Sequence, residues 1–198
     1  ALTKVLCDKG YDVIGIDSNA QMLEKASSLY PDINFMLCDA TEFELSKKAD
    51  VIFSNAVFHW IDNQDKLVEN LADNLKNGGQ LVFEFGGKGC AKTVHASLEK
   101  AFSDYGLTYH NDFNFKSIGE FAPILEKHGF RVEFATLFDR PTAQIGDNGL
   151  ENWINMFCDK AFENVDKDTK NNIIKNAVEL CKPSLYKDGT WYVDYVRL

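Results

Sequence analysis

A chain of 198 residues with 45% hydrophobic and 13% aromatic content can bury one sizeable core, so the expectation is a single domain over 1–198 with an appended subregion. A formal net charge of -9, with no Lys/Arg block to offset it, repels a phosphate backbone and argues against nucleic acid as a partner. Five cysteines (Cys7, Cys38, Cys90, Cys158, Cys181) stand far apart with no zinc-type spacing, and no apolar run approaches membrane-spanning length, so neither metal nor membrane is expected. With no charged leader ahead of an apolar segment, the expected setting is cytoplasmic, with reduced thiols.

In chain order, Leu2, Val5 and Leu6 predict a helix that stops at Gly10, and 11–17 a buried strand ending in Asp17. Ser18 with Gln21 reads as a capping box, and Met22, Leu23, Ala26 and Leu29 give the following helix an apolar stripe that Pro31 terminates. Strands are expected at 33–38 and 50–54. Leu67, Val68, Leu71 and Leu75 mark a helix ending at Gly78 and Gly79, and GQLVFEF a further buried strand. This alternation predicts right-handed crossovers and a parallel sheet covered on both faces. Beyond residue 90 the reading is a helix to about 105 and an aromatic stretch, LTYHNDFNF. Ser117 with Glu120 then opens a helix that stops at Gly129, and FRVEFATLF follows as a strand. Two amphipathic helices within 147–182, ended by Pro183, lead to a last strand, WYVDYVRL. Residues 1–90 form the expected cofactor-binding half, and 91–198 a substrate-side half with a helical insertion over about 139–189.

Three strand ends carry the chemistry. Apolar runs stop abruptly at Asp17, at Asp39 and Ala40, and at Asn55 and Ala56, as buried parallel strands do where they deliver side chains to a ligand crevice. That reads as a nucleotide-type cofactor site. In Rossmann-like units the acid that takes the ribose lies about 20 residues past a glycine-rich turn. Counting back from Asp17 puts that turn before Ala1, so the chain is expected to start just after its own cofactor loop.

The segments Asp17-Ser18-Asn19-Ala20-Gln21-Met22, Cys38-Asp39-Ala40, Ser54-Asn55-Ala56-Val57-Phe58-His59-Trp60 and LKNGGQLVFEF, in this order, resemble the class I S-adenosylmethionine-dependent methyltransferases. The branch they look most like is the small-molecule one that includes trans-aconitate and malonyl-carrier-protein methyltransferases. The late FRVEFATLFDRPT and the closing strand are also similar to that branch. The resemblance implies an α/β Rossmann-like sheet, mainly parallel with an antiparallel last strand, without the first strand and glycine-rich loop, and with a helical lid. It also implies methyl transfer from S-adenosylmethionine to a small organic acceptor, with a carboxylate as the candidate. A nicotinamide-dependent Rossmann oxidoreductase and a non-catalytic nucleotide-binding protein are the competing readings.

Carried over residue by residue, the resemblance makes Asp17 the acceptor for both ribose hydroxyls, with Ser18 beside it and Met22 over an adenine face. Asp39 takes the adenine amino group, and Cys38 and Ala40 flank it. Asn55 and Ala56 line the methionine part of the cofactor or the reaction chamber. Each position also has a plainer use: a helix N-terminal charge for Asp17, a core contact for Met22, an Asx turn for Asp39. His59 is a candidate general base, and with Trp60 it equally packs a turn; both are also substrate-side candidates. Arg140 and Trp153 are pocket candidates on the substrate side, with Tyr109, Phe113 and Phe115 in the lid. No metal ligands are assigned.

Overall fold

The computed structural model describes residues 2–198. They form two compact units interleaved in sequence. Unit 1 comprises Ala1–Phe53, Asn63–Val82 and Ile124–Phe130; unit 2 comprises Ser54–Asp62, Phe83–Pro123 and Arg131–Leu198. Where the sequence suggests a change of role near residue 90, the packing divides the chain within three elements, β3 (Ala49–Asn55), β4 (Leu75–Glu84) and α5 (Ile118–Lys127).

Unit 1 begins with α1 (Leu2–Asp8), closed by Gly10 at φ +88, a backbone conformation that costs a side-chain-bearing residue about 1 kcal/mol or more. β1 (Ile14–Asp17) and β2 (Asn34–Leu37) pair in parallel, Ile14 opposite Asn34 through Asp17 opposite Leu37, with α2 (Ala20–Leu29) between them in sequence. The cap of α2 is Asn19 rather than the expected Ser18: the Asn19 side-chain oxygen accepts from the Met22 N–H at 3.1 Å. The cap and the N–H it satisfies both move one residue on, from Ser18 and Gln21 to Asn19 and Met22, so the chain takes one more extended residue before turning. The helix α3 (Gln64–Asn74) stops four residues short of the expected Gly78, and Leu75 passes directly into β4. The cause is Asn74, whose amide donates to Phe43 O and whose oxygen accepts from Leu45 N, tying the helix end to the loop after β2. Leu67, Val68, Leu71 and Leu75 are buried as the periodicity predicts.

β3 and β4 are neighbours. Gly79 lies against Asp50 O near their start and Ala56 N donates to Glu84 O at their end, so the two run in parallel.

In unit 2, the core is built by α4 (Lys92–Asp104) on α7 (Lys167–Leu185), with α6 (Gly149–Phe157) and β7 (Thr190–Arg197) packed against them. Ile173, Ile174, Ala177, Cys181 and Leu185 form the buried stripe of α7, and Leu180 is exposed. The expected stop at Pro183 is overridden: the helix runs on to Leu185 because that residue completes the stripe in the core. The N-terminus of α4 follows Ala91, which sits at φ 52 and has no side-chain oxygen to cap with. Asp194 of β7 supplies the cap from across the unit, accepting from Thr93 N at 3.1 Å and Thr93 Oγ1 at 2.7 Å, an interaction of about 1 kcal/mol.

The sheet of unit 2 is antiparallel, in the order β5 (Phe138–Ala143), β7, β6 (Tyr186–Lys187). β6 and β7 form a hairpin across Asp188 and Gly189, both at positive φ, the backbone that matches strand twist in a two-residue turn. The expected strand at 130–138 is displaced. Residues 131–137 are unpaired, and β5 starts at Phe138 because that residue sits opposite Arg197, where β7 ends. At the other side Ser117 and Glu120 form the expected cap of α5: Ser117 N and Oγ donate to Glu120 Oε2 at 2.8 and 2.7 Å. With Lys88 alongside, these bonds hold the Glu120 carboxyl down at about 2.

Candidate active site

Within unit 1, five of the predicted cofactor residues lie at the ends of two paired strands, and a sixth, Met22, lies in the first turn of α2. The Cys38 N–H donates to Asp17 O at 3.1 Å, which holds the C-terminal ends of β1 and β2 level and places Asp17 beside Cys38, Asp39 and Ala40. Asp17 is exposed and its carboxylate is oriented by the Asn19 N–H, 2.8 Å from Oδ1. Ser18 lies between this acid and the helix cap. Met22, 58% exposed in the first turn of α2, offers an uncovered thioether. Asp39 is held by an Asx turn: its Oδ1 accepts from Thr41 N and Thr41 Oγ1, both at 2.7 Å. The Thr41 hydroxyl first and its amide second hold the Asp39 carboxyl below the usual range, so it is an acceptor at any physiological pH. Ala40 is fixed by the Asn70 amide, which donates to its carbonyl at 3.1 Å. A nucleoside needs an acceptor for vicinal hydroxyls, an apolar cover for a flat base and an acceptor for an exocyclic amine. The residues of unit 1 fit that set.

The other predicted residues belong to unit 2. Asn55 ends β3, and Ala56 is held at φ 58, its N–H donating to Glu84 O at 2.7 Å. A left-handed alanine is a strained backbone, worth about 1–2 kcal/mol, of the kind that clusters at functional sites. His59 and Trp60 follow in a short 3₁₀ turn, Phe58–Trp60. His59 is 7% exposed, and its Nδ1 accepts from the Gly86 N–H at 3.1 Å. That bond fixes the tautomer: Nδ1 is the acceptor, so the proton of the neutral ring sits on Nε2. Burial first, then the charge of Arg197, push its pKa down to about 4. His59 therefore presents a donor rather than the free lone pair a general base needs.

The segment after β4 brings an arginine to the same place. Phe85 and Leu198 exchange backbone hydrogen bonds at 3.0 Å, Gly87 N donates to Val196 O, and Gly86 bridges Arg197. Gly86 is required to be small, because a Cβ there would lie 2.6 Å from the Phe115 ring. Together Ala56, His59, Trp60, Cys90, Ala91 and Arg197 line a cavity of about 120 Å³, closed by Phe113, Phe115, Trp153, Phe157 and Tyr195. Trp153 is buried and donates from Nε1 to the Tyr195 hydroxyl oxygen. Burial raises the pKa of Tyr195, so its own proton stays in place as a donor. Burial likewise keeps the Cys90 thiol protonated.

Arg140 is not in the cavity wall. It is about half exposed and donates from Nη1 to Glu84 Oε1 at 2.6 Å. Arg197, whose side chain is 14% exposed, has its Nε 3.6 Å from the same oxygen and its guanidinium 4.7 Å over the Tyr195 ring. Sequence reasoning missed Arg197 and Tyr195. The signal was present in the last strand, where Trp191 and Val193 are the buried face and the period of two carries that face on to Tyr195 and Arg197. A larger groove of about 470 Å³, lined by charges of both signs such as Glu151, Glu179, Lys175 and Lys182, contains none of the predicted residues. Among the described residues no cluster of three or more His, Cys, Asp or Glu could hold a metal, none of the cysteines is bridged, and no helix is long and apolar enough to cross a membrane.

The two buried histidines make stability depend on pH. His59 and His95 both have folded-state pKa values of about 4 against 6.5 for the free side chain. Their pKa is depressed, so the unfolded chain binds more protons between these values and stability falls as pH drops from about 6.5 to about 4. The loss is about 3 kcal/mol per histidine. Urea unfolding at pH 7 and pH 4.5 should show it, and His59→Phe should remove its share. An unfolding midpoint that does not move across this window would contradict the neutral, buried assignment.

Comparison with known proteins supplies the family. Residues 1–83 match the family model described as a methyltransferase domain. A Schizosaccharomyces pombe protein described as an uncharacterised methyltransferase is 30% identical over 212 residues, covering 100% of this chain and 80% of the relative. A trans-aconitate 2-methyltransferase of Agrobacterium fabrum is 39% identical over 84 residues, 41% of this chain and 33% of that enzyme. The chain thus spans only about a third of that enzyme's length. The structure of YcgJ protein from Bacillus subtilis superposes with a TM-score of 0.60 at 15% identity, covering 93% of this chain and 78% of that one, which is a likeness of fold. The chain belongs to the S-adenosylmethionine-dependent methyltransferases and has their class I, Rossmann-like fold, a mainly parallel sheet with an antiparallel last strand.

Proposed function

We propose that this protein transfers the methyl group of S-adenosylmethionine to a carboxylate oxygen of a small organic acid bound in the cavity of unit 2. The observation that carries the reading is the charge and polarity of the wall. Two arginines, Arg140 and Arg197, share one carboxylate oxygen of Glu84, which leaves the trio with a net positive charge, and only Arg197 lines the cavity. The other polar hydrogens there are those of His59 Nε2, Tyr195, Trp60 and the Cys90 thiol. No Asp, Glu or Lys is among the lining residues.

A wall of donors suits an acceptor that arrives already deprotonated. A carboxylic acid has a pKa near 4 and needs no base at neutral pH, whereas an ammonium group must lose a proton to something the wall does not offer. When bound, S-adenosylmethionine supplies an activated methyl group on a sulfonium centre. Asp17, Met22, Asp39 and the backbone at Cys38 and Ala40 hold its nucleoside; Asn55 and Ala56 are assigned to its methionine part or to the chamber. Arg197 takes the acid by a forked, charge-assisted contact, His59 orients it by donation from Nε2, and the aromatic side chains exclude water. The Agrobacterium relative, a trans-aconitate 2-methyltransferase, takes its name from an acid, which supports this reading. Arg140 acts in this reading by neutralising Glu84, which frees Arg197 for the ligand. The protein works on a small molecule rather than nucleic acid, and a cytoplasmic setting is part of the proposal.

The test is a screen of the full-length protein with labelled S-adenosylmethionine against small carboxylic acids, phenols, amines and tRNA. Turnover of acids to base-labile methyl esters is expected. Turnover confined to amines or tRNA would overturn the assignment.

A further inference from the structure

One buried polar group next to the cavity has no use in the reaction proposed above. His95 of α4 is 8% exposed, and its Nε2 is buried without a hydrogen-bond partner among the described residues. The other ring nitrogen is committed: Nδ1 lies 2.7 Å from the Tyr109 hydroxyl, which in turn donates to Cys158 Sγ at 3.8 Å. The ring lies behind the cavity wall rather than among the lining residues, packed on three of them, with centroids 5.6 Å from Phe113, 5.9 Å from Phe115 and 6.2 Å from Trp153. Its backbone N–H bonds to the carbonyl of Ala91, another lining residue. Leaving such a nitrogen unpaired costs about 1–3 kcal/mol, a cost that folded proteins meet with a protein group, an ordered water or a ligand.

The surroundings also specify the chemistry of that ligand. The chain Cys158, Tyr109, His95 is uncharged, because burial pushes the thiol up to about 11, raises the phenol and holds the imidazole near 4. Asp194 is the charged group that acts on His95, and a second carboxylate there would face its negative charge. A neutral group is required. Because the Tyr109 proton goes to Cys158 Sγ, His95 Nδ1 carries the ring proton and donates to the phenol oxygen, which leaves Nε2 as an acceptor that a hydroxyl satisfies by donating.

We propose that His95 Nε2 is a second polar subsite of the cavity, and that the acid methylated by this protein carries a hydroxyl group remote from the reacting carboxylate. The proposal rests on the reading of the cavity as an acid site. It makes His95 a specificity-determining residue: the carboxylate end is taken by Arg197, and the hydroxyl end distinguishes the substrate from its deoxy parent.

The experiment compares short ω-hydroxy acids with the corresponding unsubstituted acids, by calorimetric binding and by kcat/KM, in the full-length wild-type protein and in His95→Phe and His95→Gln. A preference of about tenfold for the best hydroxy acid is expected in the wild type, the scale of one hydrogen bond. The ratio should fall to about one in His95→Phe and be partly kept in His95→Gln, whose amide can still give and accept. Because a ring substitution in a packed site can disturb folding, the wild-type imidazole is also followed by nitrogen NMR. The His95 Nε2 resonance should move on addition of the hydroxy acid and not of its parent. Equal affinity of the two acids in the wild type, a preference that survives His95→Phe, or an unmoved Nε2 resonance would overturn the subsite alone. If none of the acids binds or is methylated, the acid reading itself fails and the subsite with it.

Discussion

Arg197→Met should raise KM for the acid substrate by about 10- to 150-fold with little change in kcat, corresponding to 1.5–3 kcal/mol for a hydrogen bond to a charged group. The effect falls on KM because the guanidinium holds a carboxylate that is charged in the ground state. It is a large effect because the side chain is mostly buried, sits in the cavity wall and lies over the Tyr195 ring, so water does not replace it. Glu84 stays paired in this variant, since Arg140 donates to it at 2.6 Å. Met keeps the apolar stem, and circular dichroism should show the fold unchanged. Arg140→Met provides the contrast. Its guanidinium is about half exposed and outside the wall, so a change within about threefold is expected, the scale of a screened surface pair. Wild-type KM in Arg197→Met, or a larger loss in Arg140→Met, would move the acid-binding role to Arg140.

Asp17→Ala in the full-length protein should weaken binding of S-adenosylhomocysteine by a similar 1.5–3 kcal/mol, read by calorimetry as about 10- to 150-fold in Kd. The carboxylate stands at the end of β1, exposed, with Oδ1 oriented by the Asn19 N–H at 2.8 Å. In the proposed site this one oriented carboxylate takes two hydroxyls, and Asp39 already commits Oδ1 to Thr41. Asp17→Asn should recover part of the loss, because an amide keeps one acceptor and the Asn19 contact. The cap of α2 is made by Asn19, so the helix survives either change. Unchanged affinity with an intact fold would remove Asp17 from the cofactor site.

The family and most of the first 90 residues are legible from local signals. Gly10, the apolar periodicity of α3 and the Ser117–Glu120 cap act within a few residues, and each was found where the sequence puts it. Strand ends that stop at Asp17 and Asp39 are equally local, because a buried parallel strand must end where its polar residue meets solvent or ligand. The misplaced boundaries all have a distant cause. α3 stops at Asn74 because its amide clamps Phe43 and Leu45, residues about 30 positions earlier. β5 begins at Phe138 because β7 ends opposite it, and α7 ignores Pro183 because Leu185 has a place in the core.

The substrate side shows the same division more sharply. Trp153, Trp60 and His59 were named from the sequence, and the tertiary structure places all three in one cavity wall. Which arginine joins them could not be read locally, because Arg140 and Arg197 both lie on strands and both pair with Glu84. Only the antiparallel pairing of Phe85–Gly87 with β7 sets Arg197 beside Gly86 and so beside His59. The polarity of His59 was decided in the same way. An imidazole in a sequence is base or donor alike until a backbone N–H, here that of Gly86, 27 residues away in the chain, occupies one of its nitrogens. The sequence by itself therefore determined the fold class and the polar residues that stand at the strand ends. The tertiary structure decided the charge and the hydrogen-bond polarity of the cavity in unit 2, because those depend on pairings between segments far apart in the chain.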